Sequence, residues 1–201
     1  MRTLLFLSVA LAVSACSNTN EEKPPGTSSA APAVVLPQPP PPAAKPDAMP
    51  IGSARVNLDP TQGHTGIGEL ALTVVGADVH VTGTITGLPP NSAHGFHIHE
   101  KGDCSAPDAS SAGGHFNPTG QPHGDVNSSE HHAGDMMNIK ADAEGMAKVD
   151  DTAKGVTIGG GGANDIVGKA IVLHEKPDDY KTQPSGDSGT RVACGVIETV
   201  R

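Results

Sequence analysis

Between residues 51 and 201 the apolar residues fall into short runs, none long or periodic enough for an amphipathic helix. Residues 53–59, 68–75 and 79–86 each alternate or cluster Val, Ile, Leu and Thr. Asp142-Ala143-Glu144-Gly145 is a turn signal between 136–141 and 146–149, which together read as a hairpin. Residues 170–174 and 191–200 supply later strands. Short strands at this spacing, with no 3.6-residue periodicity between them, favour an antiparallel sandwich or barrel. The 25 Gly and 18 Pro argue the same way, because both interrupt helices. With no Trp, one Tyr and three Phe, the core is expected to be small and aliphatic. Two stretches, 101–135 and 175–190, fit no strand. Loops of that length in a compact domain are usually functional.

The first fifty residues read differently. Arg2 precedes an apolar run over 4–13 that is too short to span a bilayer. Residues 1–15 therefore read as an export signal. The run ends in Val13-Ser14-Ala15-Cys16, and small residues before a Cys at this depth resemble the bacterial lipoprotein processing site. That resemblance implies cleavage before Cys16 and a lipid on the new N-terminus. Residues 16–50 are rich in Pro, Ala, Ser and Thr and include Pro39-Pro40-Pro41-Pro42. Such a stretch buries too little apolar surface to offset its ordering entropy. It is expected to be a disordered linker that holds the domain at 51–201 away from a membrane surface. The net charge of −9 lies entirely in that domain. An acidic balance argues against nucleic acid as a partner, since phosphates call for a basic face.

All ten His also lie beyond residue 50. His97-Ile98-His99 places two imidazoles on one side of a strand, where they can share a metal. His115, His123, His132 and Asp135 form a second set, three imidazoles and a carboxylate, which suits tetrahedral zinc. The residues between them are mostly Gly, Pro, Asn and Ser, which let a loop wrap an ion. His174 ends the apolar run 170–173 and is placed to complete the His97/His99 site. Gly159-Gly160-Gly161-Gly162 lacks the Gly-Lys-Ser/Thr ending of a phosphate loop and reads as a flexible turn.

Gly95-Phe96-His97-Ile98-His99-Glu100, Gly113-Gly114-His115-Phe116-Asn117-Pro118 and Gly189-Thr190-Arg191-Val192-Ala193-Cys194-Gly195 resemble, in order and spacing, the signature stretches of copper/zinc superoxide dismutase. The export signal, the linker and Cys104-Ser105-Ala106-Pro107 resemble that family's bacterial, exported branch. The resemblance implies an all-β fold, an eight-stranded antiparallel Greek-key β-barrel (a flattened sandwich) with two long functional loops. It implies one copper per chain on His97, His99, His115 and His174. It also implies one zinc per chain on His115, His123, His132 and Asp135, with His115 bridging. Superoxide is the implied substrate, disproportionated to O₂ and H₂O₂, with His115 in the proton supply and Arg191 holding the anion. Asp178 matches the family's carboxylate linking the two sites, against a plain reading as a solvated loop acid. His94 matches a structural His beside the copper strand, and His64 and His80 read as surface residues. His132 rather than its neighbour His131 has the family's spacing to His123 and Asp135. Lys176 and Lys181 read equally as steering charges or as solvated loop charges.

With Cys16 taken up by the lipid, Cys104 and Cys194 remain, an even pair in an exported domain, and so an expected disulfide. Met136 reads as core filler, and Met137 as a loosening of the strand start. The expected location is the bacterial cell envelope, in the periplasm, with Cys16 anchoring the chain to a membrane. The resemblance leaves homodimer and monomer open. The competing function is a non-catalytic, lipid-anchored copper/zinc buffer on the same fold; the presence of all seven ligands and Arg191 favours the enzyme.

Overall fold

The computed structural model describes residues 52–200. The expected leader, Cys16 and the whole Pro-rich linker lie outside the described residues. Among those described, the strands are β1 (Ser53–Pro60), β2 (Ile67–Val75), β3 (Asp78–Thr86), β4 (Ala93–His94) and β5 (Phe96–His99). They continue as β6 (Ile139–Lys140), β7 (Ala147–Ala153), β8 (Ala170–His174), β9 (Arg191–Val196) and β10 (Glu198–Thr199). The one helical element among the described residues is a 3₁₀ turn at Ser110–Ala112.

Period-two alternation decides which side chains point inward. Ala54, Val56 and Leu58 on β1, Leu70 and Leu72 on β2, and Val79, Val81 and Ile85 on β3 are buried in one aliphatic core. Fully burying a side chain of this size stabilises the fold by ~1.5–3 kcal/mol. All strand pairings are antiparallel, and the main sheet runs β5-β8-β9-β1-β2-β3-β7. Its two ends are joined through the small sheet. Ala141 bridges Ala147 beside β7, β6 pairs β4, and only Gly95 separates β4 from β5. The sheet thus curls into a barrel. The neighbours β3–β7, β5–β8 and β9–β1 are remote in sequence, which is Greek-key connectivity.

β5 and β8 are buried on both faces. Ile171 and Leu173 of β8 enter the main core, while Ala170 and Val172 pack with Ala109, Ala112 and Cys194 under the 101–135 loop. A strand covered on both sides reads as a continuous apolar run rather than an alternating one. Cys104 and Cys194 form the expected disulfide across a separation of 90 residues, with Cα atoms 5.8 Å apart. A closure of that length contributes ~4–5 kcal/mol in the chain-entropy picture.

Two strand expectations need correction. The segment 136–141 contributes only Ile139–Lys140, because side chains capture its earlier main-chain donors. Met137 N–H donates to Asp151 Oδ2 and Asn138 N–H to Tyr180 Oη, each at 2.8 Å. The segment 191–200 is interrupted at Ile197, whose N–H and C=O pair with Lys169 and Gly168 instead of with β1. The register to β1 is the same on both sides of that break, since Asp59 faces Cys194 and Arg55 faces Glu198. Met136 is fully buried, as expected of core filler, and Met137 is exposed. The four-glycine run is a turn held by Asp165, whose carboxylate accepts from the Gly159 and Gly161 N–H groups.

Candidate metal centre

β5 sorts its residues by parity. Phe96 and Ile98 enter the core, which leaves His97 and His99 on the opposite face. In the neighbouring β8 a register irregularity after Leu173 places His174 opposite Arg191. The His174 ring stacks on His99 at 5.5 Å between centroids and lies 5.0 Å from His97. The 101–135 loop is laid along β5 by main-chain bridges, His99 to His115 and His97 to Asp135. These contacts bring His97, His99, His115 and His174 into one buried group, with a ligand-type atom of each within 4.8 Å of the others. His115, His123, His132 and Asp135 form a second such group, and His115 belongs to both.

The hydrogen bonds fix which nitrogen of each ring is free. His99 Nδ1 donates to the Gly113 carbonyl at 2.9 Å, and His174 Nδ1 faces the Gly189 carbonyl at 3.4 Å. Their Nε2 atoms therefore carry lone pairs, yet they face each other at 3.3 Å. Burial, followed by the neighbouring imidazoles, holds both rings well below the ordinary histidine pKa. Two buried lone pairs converging in this way call for a cation between them. His97 donates from Nε2 to Asp178 Oδ2 at 2.7 Å, which leaves its Nδ1 buried and without a partner. His115 Nε2 is likewise buried and without a partner. Burial pushes the His115 pKa down to about 4, although Asp135 works against it.

The second group shows the same pattern. His115 Nδ1 lies 2.8 Å from Asp135 Oδ1. His123 Nδ1 and His132 Nδ1 stand 3.0 and 3.4 Å from that oxygen, without hydrogen-bond geometry to it. Burial alone would raise the Asp135 pKa. The histidines around it hold it well below the usual carboxylate range instead. Three ring nitrogens and one carboxylate oxygen pointing at a common volume match the donor set of tetrahedral zinc. The all-imidazole group suits copper.

Asp178 joins the two groups. Its Oδ2 receives His97 and its Oδ1 receives His123 Nε2 at 3.0 Å. The residue is buried, so it is not a solvated loop acid. Burial would raise its pKa, but hydrogen bonds from His123 and His97 outweigh that and lower it. Sequence reasoning missed what holds this carboxylate. Asn138 pairs with the Asp178 main chain in both directions, at 2.8 Å each. Gly186, at φ +69, passes so close to the Asp178 carboxylate that a Cβ there would collide with it. Asn138 lies 40 residues from Asp178, and a contact at that distance leaves no local pattern in a sequence.

Arg191 is half-buried, and its guanidinium is fixed by donating from Nη1 to the Ala109 carbonyl and from Nη2 to the Gly113 carbonyl, each at 2.6 Å. The Gly113 carbonyl thus receives both Arg191 and His99, which ties the cation to the first group. Burial lowers the Arg191 pKa, and Asp108 partly offsets this. The stem of Lys176 would meet a Cβ at Gly189, two residues before Arg191, and Lys181 is exposed.

His94 is buried, with Nδ1 donating to the His174 carbonyl at 2.7 Å and Nε2 bonded to Ser92 Oγ at 2.7 Å. It supports the main chain of a ring in the first group, which fits the structural role expected of it. His131 turns its Nδ1 onto the His132 carbonyl and lies outside both groups. His64 is half-buried and lines, with Thr61, Asp108 and Arg191, a cavity of about 380 Å³. His80 is also half-buried and pairs with Asp150 at 2.8 Å.

Comparison with known proteins agrees with this geometry. Residues 67–197 match the family model described as copper/zinc superoxide dismutase (SODC). The chain is similar to superoxide dismutase [Cu-Zn] 2 of Aquifex aeolicus, at 44% identity over 147 residues, covering 72% of this chain and 85% of that protein. It is also similar to superoxide dismutase [Cu-Zn] of Caulobacter vibrioides, at 44% identity over 119 residues, covering 57% of this chain and 68% of that one. Among solved structures, a SOD-like protein from Bacillus subtilis superposes with a TM-score of 0.65 at 37% identity, covering 71% of this chain and 96% of that one. The clock protein EA4 gives a TM-score of 0.67 at 39% identity, covering 76% and 97%.

Proposed function

This chain belongs to the copper/zinc superoxide dismutase family, and on that premise we propose how its own residues divide the work. It disproportionates superoxide, using one copper and one zinc. In our reading copper is held by His97, His99, His115 and His174, and zinc by His115, His123, His132 and Asp135, so that His115 serves both ions. The observation that carries this assignment is the 3.3 Å approach of the His99 and His174 Nε2 atoms, with both Nδ1 atoms directed at carbonyls.

Copper supplies the exchange of one electron with each of two superoxide ions; zinc has no redox chemistry of its own. The remaining tasks fall to the protein. Asp178 accepts from Nε2 of both His97 and His123 and so turns their Nδ1 atoms toward the two metal groups. Arg191 presents a fixed positive charge where a small anion arrives beside His99. His115, whose Nε2 is buried and without a protein partner, is the ring in reach to hand a proton to the arriving anion. A carrier that only stored the metals would need no such cation beside the copper ligands. Converting His97→Ala should abolish copper binding and dismutation together while zinc binding persists; full dismutation in that variant would refute the assignment.

An extracytoplasmic location agrees with the Cys104–Cys194 disulfide and with the bacterial relatives. We further propose the domain order read from the sequence: a leader at 1–15, a lipidated Cys16 opening a spacer to residue 50, and the enzyme at 51–201. Cys16→Ala should then abolish lipid attachment and release the protein from the membrane fraction. An unaltered chain found free of lipid by mass spectrometry would contradict this.

A further inference from the structure

The 175–190 loop grips the 101–135 loop partly through a side chain with no metal-binding chemistry. Gln183 reaches across 60 residues to both main-chain groups of His123. Its Oε1 accepts from the His123 N–H at 2.9 Å, and its Nε2 donates to the His123 carbonyl at 2.8 Å. A neighbouring strand would give a residue this same two-way pairing; here an amide side chain supplies it. The residue needs such help. His123 stands between Pro122 and Gly124, and neither flanking residue offers a side chain that can hydrogen-bond. A cavity of about 360 Å³, lined by Pro122, Gly124, Asp125, Glu130, Tyr180 and Gln183, abuts His123, so packing alone does not hold that side. Asp178 fixes the ring at Nε2 at 3.0 Å. Gln183 fixes the main chain behind it. Together the two contacts, both from one loop, set the direction of Nδ1.

We propose that Gln183 is a positioning residue for the zinc centre. It keeps His123 Nδ1 aimed at the volume shared with His115, His132 and Asp135, and without it zinc binding weakens while the copper ligands stay in place. Partners of a metal-bound histidine are worth ~10–100-fold in metal affinity. Gln183 acts one step earlier than such partners, on the main chain that carries the ring. This inference rests on reading His123 as a zinc ligand.

The test uses the full chain loaded with copper and zinc. Gln183→Met keeps the length of the side chain and removes both hydrogen bonds; Gln183→Glu keeps only the acceptor. Zinc affinity is measured by competition with a chromogenic chelator. Cobalt(II) placed in the zinc site reports ligand geometry through its visible bands. The expected result is a ~10–100-fold weaker zinc site in Gln183→Met, a smaller loss in Gln183→Glu, shifted cobalt bands in Gln183→Met and unchanged copper content in both. Unaltered zinc affinity and cobalt bands would overturn the proposal, even if the metal-free variants unfold at lower temperature, because Gln183 would then be structural only. His123→Ala separates the two levels. If that variant keeps full zinc affinity, the ligand reading itself fails; if it loses zinc while Gln183→Met does not, only the inference about Gln183 fails.

Discussion

Replacing Gly186 with Ala tests how the two metal groups are held in register. Gly186 has φ +69, where an L-residue costs ~1–2 kcal/mol. The structure adds a second penalty. A Cβ at this position collides with the Asp178 carboxylate and stands 2.8 Å from His123 Nε2. Asp178 must move, and its bonds to His97 and His123 go with it. Losing such partners weakens a metal site ~10–100-fold, which corresponds to ~1.4–2.7 kcal/mol of zinc binding. Gly155 provides the control. It has φ +63, but a Cβ there meets nothing within 4 Å. Gly155→Ala should therefore show the conformational cost alone. The assay is chelator competition for zinc, together with thermal unfolding of the metal-free forms. Gly186→Ala should lose more metal-free stability than Gly155→Ala, because the collision adds to the backbone cost, and only Gly186→Ala should lose zinc affinity. Equal zinc affinity in the two variants would refute the reasoning, because the Asp178 link would then not control the site.

Other outcomes follow from the same geometry. His132→Ala should lose zinc and His131→Ala should keep it, as metal analysis of the two would record. Arg191→Glu should cut the second-order rate strongly at unchanged metal content, and Arg191→Lys should cut it less because the charge survives without the planar fork. The rate of the unaltered enzyme should fall as salt shortens the Debye length from ~30 Å at 0.01 M to ~8 Å at 0.15 M; a rate that rises with salt would remove Arg191 from the substrate approach. In the metal-free protein, burial lowers the His123 pKa but Asp135 and Asp178 outweigh it, raising it from 6.5 to about 9. A raised histidine stabilises the fold fully below 6.5, and that contribution is lost as pH rises toward 9. Zinc must displace this proton, so zinc affinity should climb between pH 6.5 and 9, with about one proton released per ion. Calorimetry in buffers of different ionisation enthalpy would detect the proton; a flat profile would contradict the role of the two carboxylates.

Much of this site is legible in the sequence because its chemistry is dense and local. His97-Ile98-His99 follows from strand parity alone, and His174 from its place at the end of a doubly buried apolar run. The wider assignment needed longer signatures, since spacing by itself does not separate His131 from His132. What stayed hidden is the support. Asn138 and Gln183 act on main-chain groups 40 and 60 positions away, Gly186 acts on Asp178 and His123 by simple proximity, and none carries a distinctive side chain. The shortened β6 has the same origin. Its apolar pattern suggested a longer strand, but Asp151 and Tyr180 took the donors that a ladder would use. Periodicity records which face of a strand is buried, not which distant side chain claims its N–H groups.

The most direct test of the account is superoxide dismutation by the full chain, measured by pulse radiolysis after metal analysis of the same sample. The account predicts one copper and one zinc per chain, and rapid second-order decay of superoxide that disappears when copper is removed and returns when it is restored. A chain that binds both ions in that ratio yet leaves superoxide decay at its spontaneous rate would contradict it, and would make the protein a metal carrier built on this fold.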